Sequence, residues 1–316
     1  MKILLTKYKW FNNENVYVTG YIRIKDHYLQ DAGLAEYFSN IGSEEEFASR
    51  LLRANGQFAV VIVRDREIWM ATDRLRSVPL YYCNDEEIKI SDSAYVLFDE
   101  ISDPEINEDE VATFISMGFT LNNTLLLRNI FQVVGGSYAV LGDEARHVYY
   151  HKTSTNVINE QGFNACSTEL AAKLEDTFSS HFIALKDKFI VIPLSAGYDS
   201  RFIALMCKKY HPHNVFCYTY GREGNPEFAN AREIASRLGF PWVKIEYNDE
   251  LIKGFVDDPV FGRYYKYASE FGSMFFMQEY FAVRYLKEKK LIPEDSVFVP
   301  GHAGNIIGGE HLVPAL

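Results

Sequence analysis

The stretch that most limits the fold of this chain is Lys188–Lys209, KFIVIPLSAGYDSRFIALMCKK. Phe189 to Leu194 is an uncharged apolar run, β-branched in its middle, of the kind that forms a strand buried within a parallel sheet. Ser195-Ala196-Gly197-Tyr198-Asp199-Ser200 then breaks the run with small and polar residues, and Phe202, Ile203, Leu205 and Met206 resume at helical spacing. Strand, tight loop and helix in that order aim backbone N–H groups and the positive end of a helix dipole at one point. An anion fits there, a phosphate best. The loop lacks the Gly-Lys-Ser/Thr ending of a Walker-type P-loop, but it offers two hydroxyls (Ser195, Ser200), a permissive Gly197 and the Asp199 carboxylate. A carboxylate beside a phosphate makes electrostatic sense when a divalent cation bridges the two. The plainer alternative is a strand–loop–helix in which Asp199 and Ser200 only cap the helix.

A length of 316 residues suits about two domains. No apolar run approaches the roughly 20 residues of a membrane helix, and Met1-Lys2-Ile3-Leu4-Leu5 is too short and too quickly polar for a signal peptide. The four cysteines (Cys83, Cys166, Cys207, Cys217) include no C-x-x-C pair, which argues against a zinc knuckle and for reduced thiols in the cytoplasm. A net charge of −11 argues against a nucleic-acid partner. Neither nucleic acid nor membrane is expected.

Around the organising stretch the second half alternates strands and helices. Asn164 to Phe182 reads as a long amphipathic helix, Val215 to Tyr220 as a second strand ended by Gly221, and Trp242 to Tyr247 as a third. Between the last two lies a helix, Pro226 to Leu238, with Ala229, Ile234, Ala235 and Leu238 on one face and Gly239 as its stop. The pattern predicts an α/β doubly wound parallel sheet whose ligands sit beyond the carboxyl ends of the strands, where Ser195 and Gly221 lie. Arg222 could reach a phosphate there, or be a plain surface arginine. Ser273 to Leu286 reads as a buried aromatic helix rather than a base-stacking platform, and Val297-Phe298-Val299 as a strand entering a glycine-rich loop, Pro300 to Gly309.

The first half is richer in strands. Val16 to Ile24 reads as one; Ser43 and Glu46 form a capping box for a helix with Phe47, Leu51 and Leu52 inward and Gly56 at its end. Gln57–Val63, Ile68–Thr72, Leu80–Cys83 and Ile88–Ser91 read as an antiparallel meander, Asn107 to Met117 as a helix capped by Asn107, and Gly135–Leu141 with His147–Tyr150 as a closing hairpin.

These residues also carry a resemblance. Ser195, Gly197, Asp199 and Ser200 match the S-G-G-x-D-S pyrophosphate-binding signature of the N-type ATP pyrophosphatases, with Ala196 at the first glycine. Tyr220-Gly221-Arg222, Asn230 to Ala235 and Leu238-Gly239 resemble the asparagine synthetase family. Upstream, Asn55 to Val61, Thr72-Asp73-Arg74, Val78-Pro79-Leu80-Tyr81-Tyr82 and Ser91-Asp92-Ser93 resemble the glutaminase-type domain fused ahead of those synthetases. The resemblance implies an α+β, Ntn-hydrolase-like αββα sandwich over residues 1–152. It implies an adenine nucleotide alpha hydrolase-like ATP pyrophosphatase domain over 153–316. The implied activity is an ATP- and Mg²⁺-dependent amide-forming ligase that adenylates a small-molecule carboxylate and transfers an amine or ammonia. The implied nucleotide-binding residues are Leu194, Ser195, Ala196, Gly197, Asp199, Ser200, Thr219, Tyr220, Gly221, Gly301 and Gly304.

The sequence departs from the family at several places. Lys2 stands where a nucleophilic cysteine is expected, and Cys83, in a strand, reads as a small buried hydrophobe, so glutaminase activity is expected to be lost. In the glycine-rich loop, His302 takes the position of a catalytic glutamate and Asn305 that of a second magnesium-binding aspartate beside Asp199. The family's following helical segment, with its lysine, does not follow Leu316. The chain is therefore expected to be truncated, completed by a homodimer or partner chain, or an inactive nucleotide- or partner-binding descendant. A tRNA-thiolating enzyme would need paired cysteines and a basic face, and neither is present.

Overall fold

The computed structural model describes residues 1–25, 27–84, 87–153, 161–302 and 304. In chain order the first elements are β1 (Lys2–Leu4), β2 (Phe11–Asn13), β3 (Val16–Ile24), β4 (His27–Gln30), α1 (Asp31–Tyr37), α2 (Glu44–Arg53), β5 (Asn55–Val63), β6 (Ile68–Thr72), β7 (Tyr81–Asn84) and β8 (Ile88–Ser91). There follow α3 (Ala94–Phe98), α4 (Glu108–Met117), β9 (Phe131–Gln132), β10 (Ser137–Leu141), β11 (Ala145–Tyr149), α5 (Phe163–Ala184), β12 (Ile190–Pro193) and α6 (Tyr198–Tyr210). The last are β13 (Val215–Gly221), α7 (Glu227–Leu238), β14 (Trp242–Glu246), α8 (Asp249–Ile252), α9 (Pro259–Ser269), α10 (Tyr280–Glu288) and β15 (Val297–Phe298). The chain divides into two units, residues 1–157 with 258–275, and residues 158–257 with 276–316.

In the first unit the period-two alternation of β5 builds two cores. Phe58, Val60 and Ile62 face Leu34 of α1, Phe38 just after it, and Phe47 and Leu51 of α2. Ala59 and Val61 point the other way, onto Tyr82 and Ile90 of a second sheet. That second sheet, ordered β1-β8-β7-β9, packs Tyr81 and Cys83 from its far face against Ala94 and Leu97 of α3. Helix, sheet, sheet, helix is the αββα layering. The meander of four strands is thus split: β5 and β6 pair in the seven-stranded sheet, β7 and β8 in the four-stranded one.

Other details correct the sequence reading. Ser43 caps α2 by accepting from the Glu46 N–H at 3.3 Å, while the Glu46 carboxylate accepts from Gly42 rather than from Ser43. Leu52 is half exposed, because one helical step carries it 100° away from Leu51. Gly56 does not end the helix; it lies in β5, where a Cβ would come within 2.1 Å of the Tyr21 carbonyl oxygen on β3. Asn107 precedes α4, but its side chain makes no capping bond.

The second unit carries a parallel sheet, β14-β13-β12-β15. Ile190, Ile192 and Leu194 pack on one face with Ala204 and Cys207 of α6 and Ala231 and Ala235 of α7. Val191, Tyr218 and Ile245 pack on the other with Ala282 and Leu286 of α10. Helices on both faces make it doubly wound, and the strand order reverses beside β12. On α7 the buried positions are Phe228, Ala231 and Ala235; Ala229 points outward. The expected helix from Ser273 begins only at Tyr280, and Phe276 is exposed ahead of it. No helix among the described residues is long and apolar enough to cross a membrane.

Candidate functional site

β12 ends at Pro193, α6 starts at Tyr198, and of the four residues between, Leu194, Ser195 and Gly197 line a cleft of about 740 Å³. Within that loop the hydroxyls of Ser195 and Ser200 lie 2.9 Å apart. The Ser195 N–H donates to Ser200 Oγ at 3.0 Å, and the Gly197 N–H donates to Ser195 Oγ at 3.1 Å. Arg201 Nη2 holds the Ala196 carbonyl at 2.8 Å. Gly197 occupies the N-cap without a side-chain cap, so Asp199 and Ser200 sit in the first helical turn instead of capping it. The N–H groups of Tyr198 and Asp199, as at any helix start, have no intrahelical acceptor.

β13 supplies the adjoining wall. Thr219 is buried; its hydroxyl donates to the Leu194 carbonyl at 2.6 Å and accepts from Trp242 Nε1 at 2.9 Å. Those two bonds tie β13 to the residue after β12 and to β14, and leave Thr219 a brace rather than a free ligand. Leu194, Tyr220, Gly221 and the exposed Arg222 also line the cleft.

The third wall is the loop after β15. A Cβ on Gly301 would come within 2.7 Å of the Ser200 backbone nitrogen. A Cβ on Gly304 would come within 2.1 Å of Asp199 Cγ and 2.4 Å of its Oδ1. Bare backbone therefore lies directly against the Asp199 carboxylate. Asn305 lies outside the described residues. His302 stands at the rim, 59% exposed, its ring edge against Phe276 and its Nε2 3.7 Å from Glu279 Oε1.

Among the described residues the cleft thus gathers every expected site residue except Ala196, which is held through its carbonyl, and Gly304, which abuts Asp199. It also contains residues the sequence reading passed over, notably Tyr218, Tyr247 and Glu279. Burial raises the Glu279 pKa, against a smaller lowering by His302. Burial also raises the tyrosine hydroxyls of 218, 220 and 247, with the Glu279 charge adding to each. The one hint of Glu279 in the sequence is a carboxylate inside an otherwise apolar, aromatic run, SMFFMQEYFAV.

Among the described residues no three of His, Cys, Asp and Glu come together as a metal cage. A single carboxylate next to a phosphate cradle still suits magnesium, which takes one or two carboxylates and completes its shell with phosphates and water.

The sequence model of the glutamine amidotransferase domain matches residues 34–151, and that of asparagine synthase matches residues 169–289. The chain carries a glutamine amidotransferase domain followed by an asparagine synthase domain. Asparagine synthetase [glutamine-hydrolyzing] 1 of Bacillus subtilis (strain 168) is 27% identical over 231 residues, 69% of this chain and 35% of that protein. A probable asparagine synthetase [glutamine-hydrolyzing] of Acanthamoeba polyphaga mimivirus is 27% identical over 207 residues, 61% of this chain and 35% of that protein. This asparagine synthetase-like chain spans about a third of the length of those curated relatives. Among solved structures, the NH3-dependent NAD synthetase from Campylobacter jejuni, in complex with nitrate, is 17% identical over 42% of this chain and 54% of that one, with a TM-score of 0.27. A TM-score that low carries no detail across. Ala196, at the family's first loop glycine, is not in the left-handed region, so the backbone there does not require glycine.

Proposed function

We propose that the second unit binds MgATP in this cleft and uses it to adenylate a small-molecule carboxylate, which an amine or ammonia then converts to an amide. The observation that carries the reading is the Ser195–Ser200 loop at the switch point of a parallel sheet, opening a helix whose first turn holds Asp199 beside the bare backbone of Gly304. The hydroxyls of Ser195 and Ser200 and the loop N–H groups would hold the pyrophosphate. A phosphate oxygen can take over the Gly197 N–H that Ser195 now accepts. Leu194, Tyr220 and Gly221 would border the adenine, with Thr219 bracing them, and Gly301 would lie along the phosphates. Magnesium held by Asp199 would neutralise charge on the pyrophosphate. In the first step a carboxylate oxygen attacks the α-phosphorus and pyrophosphate leaves. In the second the amine nitrogen attacks the acyl carbon and AMP leaves with the former carboxylate oxygen. His302, at the rim, would meet the second substrate rather than the phosphates.

The nitrogen would not come from glutamine through the first unit. Residues 1–157 contain one cysteine, Cys83, and it is fully buried in β7. A thiol with no route to substrate cannot be the nucleophile.

The test is a product assay with ATP, MgCl2, aspartate and ammonium chloride. AMP and pyrophosphate are expected, lost in Asp199→Ala; glutamine in place of ammonium should give no glutamate above the enzyme-free rate. ADP and phosphate as products, or AMP formation indifferent to Asp199→Ala, would contradict the reading.

A further inference from the structure

Glu279 occupies the N-cap position of α10, yet its carboxylate makes no capping bond. Its side chain is 17% exposed, and His302 Nε2 lies 3.7 Å from its Oε1, beyond hydrogen-bond reach. A carboxylate so enclosed, with only an exposed imidazole near it and no hydrogen bond from that ring, is costly. The same cleft is lined by Tyr218, with 0% exposure and a buried hydroxyl that has no hydrogen-bond partner. Tyr220 stacks on Tyr247 at 5.2 Å between centroids and on Tyr218 at 6.2 Å, so the walls of this corner are aromatic. The Tyr247 hydroxyl is already spent: it donates to the Gln278 carbonyl at 2.7 Å and accepts from the Ala282 N–H at 3.2 Å.

We propose that the corner formed by Glu279, Tyr218 and Tyr220 binds a primary ammonium group carried by the second substrate. For its place in a reaction the proposal rests on the ligase reading, but the site itself needs no nucleotide. Three properties select the ligand. An anion is excluded by the Glu279 charge. A neutral hydroxyl would satisfy the hydrogen bonds yet leave that charge unbalanced. A primary ammonium has three donors, enough for the carboxylate and the Tyr218 hydroxyl together, and its charge is attracted to tyrosine ring faces. The cleft is thereby bipolar: donors and hydroxyls at the Ser195 end for phosphate, a carboxylate among tyrosines at the other for a cation. The ammonium could belong to a free amine or to the amino group of an amino acid.

The experiment is calorimetric titration of the unmodified chain with n-propylammonium chloride, β-alanine and n-propanol, with thermal melting of every variant as a check of folding. Propylammonium and β-alanine should bind and propanol should not. Glu279→Gln should weaken both by about ten- to a hundredfold, the worth of a charge-assisted hydrogen bond. Tyr218→Phe should weaken them less, by about fivefold, the loss of one neutral bond. Tighter binding of β-alanine would support the site and assign the amino-acid source; tighter binding of propylammonium would support it and assign the free amine. Equal binding by a folded Glu279→Gln, propanol binding as well as propylammonium, or no binding of either amine would overturn the proposal. An ATP titration of the same chain reports separately on the ligase reading. Its failure alongside Glu279-dependent amine binding would remove that reading and leave the ammonium site.

Discussion

Gly304→Ala should weaken magnesium-dependent ATP binding by about ten- to a hundredfold while leaving the melting temperature of the chain nearly unchanged. The new methyl carbon would start 2.1 Å from Asp199 Cγ and 2.5 Å from its Oδ2, well inside contact distance. Either the loop after β15 withdraws or the carboxylate turns away, and both outcomes take Asp199 from the place where it can share a cation with phosphate. Stability should be spared because this contact is made at the cleft, not in the core around Ile190, Ile192 and Ala204 beneath it. Calorimetry with ATP at fixed magnesium reads the effect. Unchanged affinity in Gly304→Ala would mean that the loop does not press on Asp199 when nucleotide is bound.

The largest effect on stability is expected at Glu270, in the segment 258–275 that joins the first unit. Its carboxylate accepts from the Ala94 N–H at 2.6 Å and the Ser93 hydroxyl at 3.1 Å, so it occupies the start of α3, which Ser93 leaves uncapped. It also pairs with Lys7 Nζ at 2.8 Å, and both side chains are under 10% exposed. Lys7 in turn donates to the Tyr267 carbonyl at 2.7 Å and lies 3.9 Å from the centre of the Tyr267 ring. Glu270→Gln would strand a buried ammonium and loosen the cap of α3. Removing one partner of a buried ion pair costs about 3–5 kcal/mol, because the survivor keeps its desolvation penalty. Urea unfolding followed by tryptophan fluorescence should show the loss, since Trp10 and Trp69 both belong to this unit. A loss below about 1 kcal/mol, the worth of an exposed pair, would mean that Lys7 and Glu270 reach water.

That pair shows where sequence reading ran out. The strand–loop–helix at Ser195 was legible because every signal in it is local: an apolar run, small loop residues, then helical spacing. The two faces of β5 were legible for the same reason, since alternation is written in neighbouring residues. The excursion 258–275 was not. Its helix carried a local mark, Asp258 capping the Val260 N–H at 2.8 Å with Pro259 in the first turn, and the sequence reading passed over it. Its return into the first unit depends on Glu270 and Phe271 at positive φ and on contacts with Lys7 and Ser93, more than 170 residues away. Glu279 and Tyr218 were hidden in the same way. Tyr218 reads as a core tyrosine in a buried strand; only the folded chain shows that its hydroxyl lacks a partner and that it shares a cleft with the Glu279 carboxylate. Leu52 and Ala229 were misplaced by a smaller error, a helical face drawn one residue too wide.

The most direct test of the account is titration of the unmodified chain with ATP, with and without MgCl2, repeated with Asp199→Ala. The account predicts affinity that rises with magnesium and loses that dependence in the variant, because Asp199 is the carboxylate at the opening of α6 and the backbone of Gly304 lies against it. ATP bound equally well with or without magnesium, by both proteins, would contradict it.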